Sequence, residues 1–163
     1  MTARRFDYNS VPVPARRRSV RYADPVAWLV LDVLTRALPD PGPDRSTLGV
    51  IAVTEHATGE SLRSVAQEAA EGRVSPLHFV AASPGTVIGL SCAQLGITGP
   101  TMLLTMAASA SLGIARELAE VWLADQEPAC PAVAVVGHET TPDGHSITFE
   151  LIDESSARET GPE

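Results

Sequence analysis

Lysine is absent from this sequence, and arginine supplies all 12 of its cationic side chains. Schiff-base catalysis and a lysine-bearing phosphate-binding loop are therefore excluded. Aromatic residues make up only 4% of the 163 residues, so the core must be built from Ala, Val, Leu and Ile. No apolar run is long enough to cross a membrane, and a hydrophobic content of 44% is too high for a disordered chain. The composition predicts one soluble globular domain.

Cysteine is scarce, and positive charge is confined largely to one end of the chain. Cys92 and Cys130 predict reduced thiols in a cytoplasmic protein, and no segment has the pattern of a signal peptide. Residues 1–21 hold six arginines and one acid, whereas the chain as a whole has a net charge of −8. This segment is predicted to be a flexible arm, or to lie across an acidic surface of its own or a partner subunit. The acidic remainder repels phosphate, which argues against nucleic-acid binding.

Helical and strand patterns alternate after the arm. Asp24 and Pro25 form a helix start, as N-cap and first helical residue. Helical periodicity and end signals predict four helices, over about residues 25–38, 60–71, 86–95 and 107–124. Continuous apolar runs predict three buried strands, at residues 47–54, 101–105 and 132–136. An alternating run predicts a fourth, half-exposed edge strand at residues 147–151. Residues 75–85 are predicted to form a loop.

Helices that alternate with short apolar strands predict an α/β domain, with helices layered on a mixed central sheet. We assign this domain to residues 22–153, between the basic arm at 1–21 and a loose acidic tail at 154–163.

Several landmarks lie between residues 75 and 124. The sequence Ser-Pro-Leu-His-Phe at residues 75–79 is followed ten residues later by Gly89, and then by Leu-Gly-Ile-Thr-Gly-Pro at residues 95–100. These features resemble the Ser-Pro-Leu-x-Phe, Asn-Ala-Ala-Ala-Gly and Leu-Gly-Leu-x-Gly-Pro motifs of the β-ketoacyl synthases, the condensing enzymes of fatty acid and polyketide synthesis. The resemblance implies a thiolase-like half-fold, corresponding to the N-terminal half of that family.

The departures from the family concern its catalytic groups. The position of the catalytic cysteine falls on Ala108, and a methyl group cannot form an acyl-enzyme. The family's two histidines belong to its C-terminal half, and His138 and His145 occur too early to correspond to them. Residues 81–85, Ala-Ala-Ser-Pro-Gly, replace the polar residues of an Asn-rich loop. The resemblance therefore implies less than half of a condensing enzyme, without its nucleophile and without condensation activity.

Four other residues are candidates for chemistry. Ser109 is either a relocated nucleophile or a helix-capping hydroxyl, and it has neither a GxSxG context nor an evident histidine partner. His78 either lines the vestigial pocket or is a satisfied loop histidine. His138 and Glu139 follow a buried strand, where functional residues collect in α/β domains. The two cysteines with His138 and His145 have no spacing typical of a zinc site, and no metal or cofactor is predicted.

These features predict a non-catalytic ketosynthase-like subunit, a pseudoenzyme, in a fatty acid or polyketide pathway. It would bind or stabilise an active ketosynthase or another pathway enzyme, as a homodimer or a heterodimer. The resemblance places the dimer interface on the strand before the vacant nucleophile position. That strand comprises Thr101, Met102, Leu103, Leu104 and Thr105. An acyl carrier protein is a further candidate partner, through the N-terminal arginines.

Two alternatives stay open at this point. One is an enzyme that acts on carrier-bound acyl thioesters by hydrolysis, isomerisation or dehydration, with Ser109 or His78 in the vestigial pocket. The other is a structural domain that binds no ligand. No nucleic-acid or membrane partner is predicted.

Overall fold

A computed structural model describes residues 3–11, 23–125 and 129–153 of the chain. Within those ranges five strands and five helices follow one another. They are β1 (Arg4–Tyr8), α1 (Pro25–Ala37), β2 (Gly49–Thr54), α2 (Gly59–Ala70), α3 (Pro76–Ala81), α4 (Thr86–Leu95), β3 (Thr101–Leu104), α5 (Ala108–Ala124), β4 (Ala132–Thr141) and β5 (Gly144–Asp153). The predicted α/β class and the four predicted helices are confirmed.

The strands form one mixed sheet in the order β1-β5-β4-β2-β3. β2 pairs in parallel with both β3 and β4, whereas β5 pairs antiparallel with β4 and β1. A tight turn ending at Gly144, whose φ is +137°, joins β4 to β5. The parallel strands therefore form one side of the sheet, and the antiparallel strands form the other.

Both faces of the sheet are covered. Along β2, Val50 and Ala52 contribute to the core beneath α1 and α4, whereas Ile51 and Val53 contribute to the core beneath α5. The strand β4 alternates in the same way. This two-sided burial explains why the segments that predicted β2 and β4 are continuously apolar.

The carboxylate of Asp24 caps two helices at once. One of its oxygens accepts a hydrogen bond from the backbone N–H of Val26, in the first turn of α1, at 3.0 Å. The other accepts from the backbone N–H of Ser61, in the first turn of α2, also at 3.0 Å. The predicted N-cap is confirmed, and the same buried side chain also fixes the start of α2 beside the start of α1.

Replacing Asp24 with alanine is expected to lower the free energy of unfolding by about 2 kcal/mol, because two helix N–H groups lose their acceptor. Asp24→Asn keeps one carbonyl acceptor and is expected to lose about half as much. Urea denaturation followed by circular dichroism measures both values. Equal stability of Asp24→Ala and the unaltered chain would contradict the double cap.

The sheet edges differ from the sequence prediction. The fourth predicted strand, at 147–151, is not an edge: it belongs to β5, which lies between β4 and β1. The edge is β1, which pairs Arg4 with Phe149 inside the segment predicted as a flexible arm. At the other edge lies β3, which was predicted to be buried, although Thr101 is exposed and its other residues are half-buried.

The region between α2 and α4 also differs. Residues 76–81, within the predicted loop, form the helix α3. The helix α2 lies largely exposed: Leu62 is 58% exposed, and Val65 is the one buried residue of that helix. Residues 1–2 and 12–21 of the predicted arm (1–21) and all of the predicted tail (154–163) lie outside the described residues. No described helix has the length and apolar character needed to span a bilayer.

Candidate functional site

A cavity of about 440 Å³ opens where the carboxyl ends of β2 and β4 approach the N-terminus of α5. Thr54 ends β2, His138 and Glu139 lie near the end of β4, and Ala108 and Ser109 begin α5. Carboxyl ends of parallel strands are the usual place for binding sites in α/β sheets. The cavity is therefore the candidate functional site of the described structure.

A hydrogen-bonded chain of three side chains crosses the wall of this cavity. Nδ1 of His138 lies 2.9 Å from the hydroxyl oxygen of Thr54, and its Nε2 lies 3.0 Å from Nδ1 of His145. Burial of the imidazole lowers the pKa of His138 to about 4, and the positive charges that His145 and His56 can carry lower it in the same direction. His138 is therefore neutral near pH 7 and fixes the orientation of the His145 ring.

The N-terminus of α5 is occupied by a carboxylate of this same chain. Oε1 of Glu139 accepts a hydrogen bond from the backbone N–H of Ser109 at 2.9 Å. Ala108, the first residue of the helix, is buried directly beside this contact. A negative charge at this position is stabilised by the helix dipole, so Glu139 fills the place where the helix would otherwise attract an anion.

The structure brings together most of the predicted pocket residues but not all of them. Ala108, Ser109, His138 and Glu139 line the cavity. His78 does not line it: the residue lies on α3, where its Nδ1 pairs with a carboxylate oxygen of Glu68 on α2. Of the described histidines, none hydrogen-bonds to the Ser109 hydroxyl.

Sequence reasoning missed Thr54 and His56 and dismissed His145. The signal for His145 is the β4–β5 hairpin, in which Thr140 pairs with His145 and His138 with Ile147. These pairs place the two histidines on one face of the ladder as diagonal neighbours.

The set of two cysteines and two histidines weighed for zinc is not assembled. Cys92 packs against the core beneath α1 and α4, whereas Cys130 lies in the core beneath α5, on the opposite face of the sheet. Both thiols are free, and burial raises the pKa of each. Among the described residues there is no group of three or more metal-ligating side chains placed to hold an ion.

The outer edge of β3 is a second candidate site. Val50 of β2 donates its backbone N–H to the carbonyl of Pro100, so in this parallel pairing Thr101 and Leu103 direct their own N–H groups away from β2. Thr105, the last residue predicted in this strand, follows its end. Within the described part of the chain, no strand pairs with this edge.

No protein-family model and no curated protein matches the chain. Its fold is similar to that of solved structures. One is a ketosynthase in complex with its chain length factor from Xenorhabdus doucetiae, with a TM-score of 0.62 and 14% identity over 91% of this chain and 66% of that one.

The ishigamide ketosynthase/chain length factor is similar to the same degree, with a TM-score of 0.62 and 15% identity. That match covers 87% of this chain and 47% of the other, so this chain spans less than two thirds of either neighbour. The predicted thiolase-like architecture is confirmed: the chain has the fold of the ketosynthase and chain length factor proteins.

Proposed function

We propose that this chain is a non-catalytic ketosynthase-like subunit of a fatty acid or polyketide pathway, and that it pairs with an active ketosynthase along the outer edge of β3. The observation that carries the proposal is the open edge of β3 in a fold whose solved neighbours include a ketosynthase bound to its chain length factor. An unpaired strand edge presents backbone donors and acceptors that a strand of another chain can satisfy.

The two edges of the sheet are built differently. The edge strand β1 carries charged side chains at Arg4, Arg5 and Asp7, which discourage pairing with another chain. The edge strand β3 has the sequence Thr-Met-Leu-Leu and carries no charge. This contrast favours β3 as the edge that receives a partner.

The non-catalytic part of the proposal concerns the N-terminus of α5. Ala108 stands at the position proposed for the nucleophile, and its methyl group has no lone pair with which to attack a thioester. Glu139 supplies a carboxylate to the same helix end, where a second anion would be repelled. Both features argue against an acyl-enzyme at this site.

Leu103→Pro is expected to weaken binding to the ketosynthase whose gene lies nearest to the gene of this chain by at least about 10-fold. Proline removes the outward N–H at the centre of β3 and leaves the hydrogen bonds between β3 and β2 in place. Co-expression, affinity purification and titration by biolayer interferometry measure the change.

Leu103→Ala is the matched control, because it loses the same side chain and keeps the N–H. It is expected to bind more tightly than Leu103→Pro. If the unaltered chain never co-purifies with the ketosynthase, the proposal fails. If this chain forms only a homodimer through β3, the partner is a second copy of the chain, and the proposed pairing with a ketosynthase is wrong.

An enzyme that acts on carrier-bound acyl thioesters is the second candidate, favoured by the Thr54–His138–His145 chain beside the cavity. Incubation with acyl thioesters, followed by mass spectrometry and an assay for released thiol, tests it. An acyl adduct on Ser109 or catalytic thiol release would establish this function in place of the non-catalytic one. Contact between an acyl carrier protein and the arginines of residues 1–21 is a further element of the proposal.

A further inference from the structure

The helix α3 is oriented with its apolar side chains outward. Phe79, Val80 and Leu77 are 65%, 61% and 55% exposed, and Ala81 is the one buried residue of the helix. The polar His78 is half-buried instead and pairs with Glu68 of α2. A surface helix normally buries its apolar side and exposes its polar side, so this orientation leaves an apolar surface that lacks a cover within the described chain.

Polar contacts at both ends hold α3 in this orientation. The carboxylate of Glu68 accepts the backbone N–H of Ser75, just before the helix, at 3.2 Å. At the other end, the Thr58 hydroxyl donates to the carbonyl of Ala82 at 2.6 Å, and the Thr86 hydroxyl donates to that of Ala81 at 3.1 Å. The apolar side chains are thus presented on a fixed backbone, which reduces the entropy that a partner must overcome on binding.

The exposed side of α3 forms one wall of a groove of about 600 Å³, here named the α3–α4 groove. Leu77, Phe79 and Val80 form that wall, and the start of α4 forms the floor with Gly85 and Gly89. A Cβ built on either glycine meets no atom within 4 Å, so the floor is open to an incoming side chain. None of the residues that line this groove is charged.

We infer that the α3–α4 groove is a second part of the interface with the ketosynthase, and that it takes an apolar segment of that same subunit; the inference rests on the proposed function. The chain carries a net charge of −8, yet the groove lining is uncharged. This surface fits an apolar protein segment and offers no basic group to an acidic carrier protein.

The size of the interface supports the same occupant. A four-residue strand edge is roughly 13 Å long. An edge of that length is too short to bury by itself the area of about 800 Å² that each partner of a stable interface buries. The edge of β3 therefore needs additional apolar area. The helix α4, which forms the floor of the groove, also contacts β3, and residues of both elements belong to one core cluster.

Phe79→Ser is expected to weaken binding of the ketosynthase by at least about 10-fold, because it removes the largest exposed apolar side chain of the groove. Leu62→Ser is the matched control: Leu62 is 58% exposed on α2 and does not line the groove. Its effect on binding is expected to be less than about 2-fold. As a second measurement, p-benzoylphenylalanine at position 79 should photo-crosslink to the ketosynthase, and at position 62 it should not.

The outcomes separate the two proposals. If the ketosynthase binds the unaltered chain and Leu103→Pro weakens it while Phe79→Ser does not, the groove inference is overturned and the proposed function stands. If the ketosynthase does not bind the unaltered chain, both are overturned. If Phe79→Ser converts a dimer of this chain to a monomer in sedimentation experiments, the occupant is a second copy and the groove inference is overturned.

Discussion

Replacing Arg116 with methionine is expected to lower the free energy of unfolding by about 3 kcal/mol. The carboxylate of Glu150, in β5, is 2% exposed. It accepts hydrogen bonds from Nε and Nη2 of Arg116, on α5, at 2.7 and 2.5 Å. Methionine keeps the apolar stem of the arginine side chain and removes both donors, so a buried carboxylate is left without its cation. Urea denaturation of the two proteins measures the difference.

The double variant Arg116→Met/Glu150→Leu is the control for this prediction. The carboxylate of this pair is buried and the Arg116 side chain is 42% exposed, so removing both charges leaves no buried group without a partner and is expected to be close to neutral. We expect the free energy of unfolding of the double variant to lie within about 1 kcal/mol of that of the unaltered chain. An Arg116→Met variant as stable as the unaltered chain would show that Glu150 is compensated in another way.

Lowering the pH from 6.5 to 4 is expected to remove about 3 kcal/mol of stability through His138 alone. Burial of the ring, followed by the neighbouring His145 and His56, lowers the pKa of His138 from 6.5 to about 4 in the folded chain. Between these two values the unfolded chain binds a proton that the folded chain does not. The free energy of unfolding therefore falls as the pH falls through this window, and the contribution is constant above it.

His138→Asn is expected to flatten this dependence. The asparagine amide can still hydrogen-bond to the Thr54 hydroxyl, but it does not titrate. The free energy of unfolding of both proteins is measured at pH 6.5, 5.5 and 4.5. Because the other titrating groups are common to both, the difference in slope isolates His138, and parallel slopes would contradict the assignment.

Sequence patterns predicted the two strands that are buried on both faces, β2 and β4, and four of the five described helices. β2 and β4 are continuously apolar because both of their faces are buried by this chain. β3 has a similar composition but lies at the sheet edge. Apolar composition shows that a side chain needs cover and does not show which chain supplies it, which is why β3 was wrongly predicted to be buried.

Two elements were missed for different physical reasons. β1 carries Arg4 and Arg5, whose charges indicate an arm and are equally suited to a sheet edge. α3 begins at Pro76 and is followed by Pro84, prolines that indicated a loop, and side-chain contacts from Glu68, Thr58 and Thr86 hold this short helix. Tertiary contacts of this kind leave no periodic pattern in the sequence.

The candidate cavity was predicted in part. Ala108, Ser109, His138 and Glu139 were identified because they lie at a helix start or just after a buried run. The place of His145 in the cavity depends on the register of the β4–β5 hairpin, and the place of Thr54 beside His138 depends on the pairing of β2 with β4. Such registers are set by the packing of the whole sheet, and spacing along the chain does not specify them.

The pairing of β1 with β5 has a consequence for the order of folding. Arg4 and its neighbours leave the ribosome early, yet their partners around Phe149 lie at the far end of the described chain. The sheet therefore cannot acquire its β1 edge until almost all of the described sequence has been synthesised. During that interval β1 lacks its partner strand, and a nascent chain that stalls before residue 144 would keep β1 available to chaperones or to other unfolded chains.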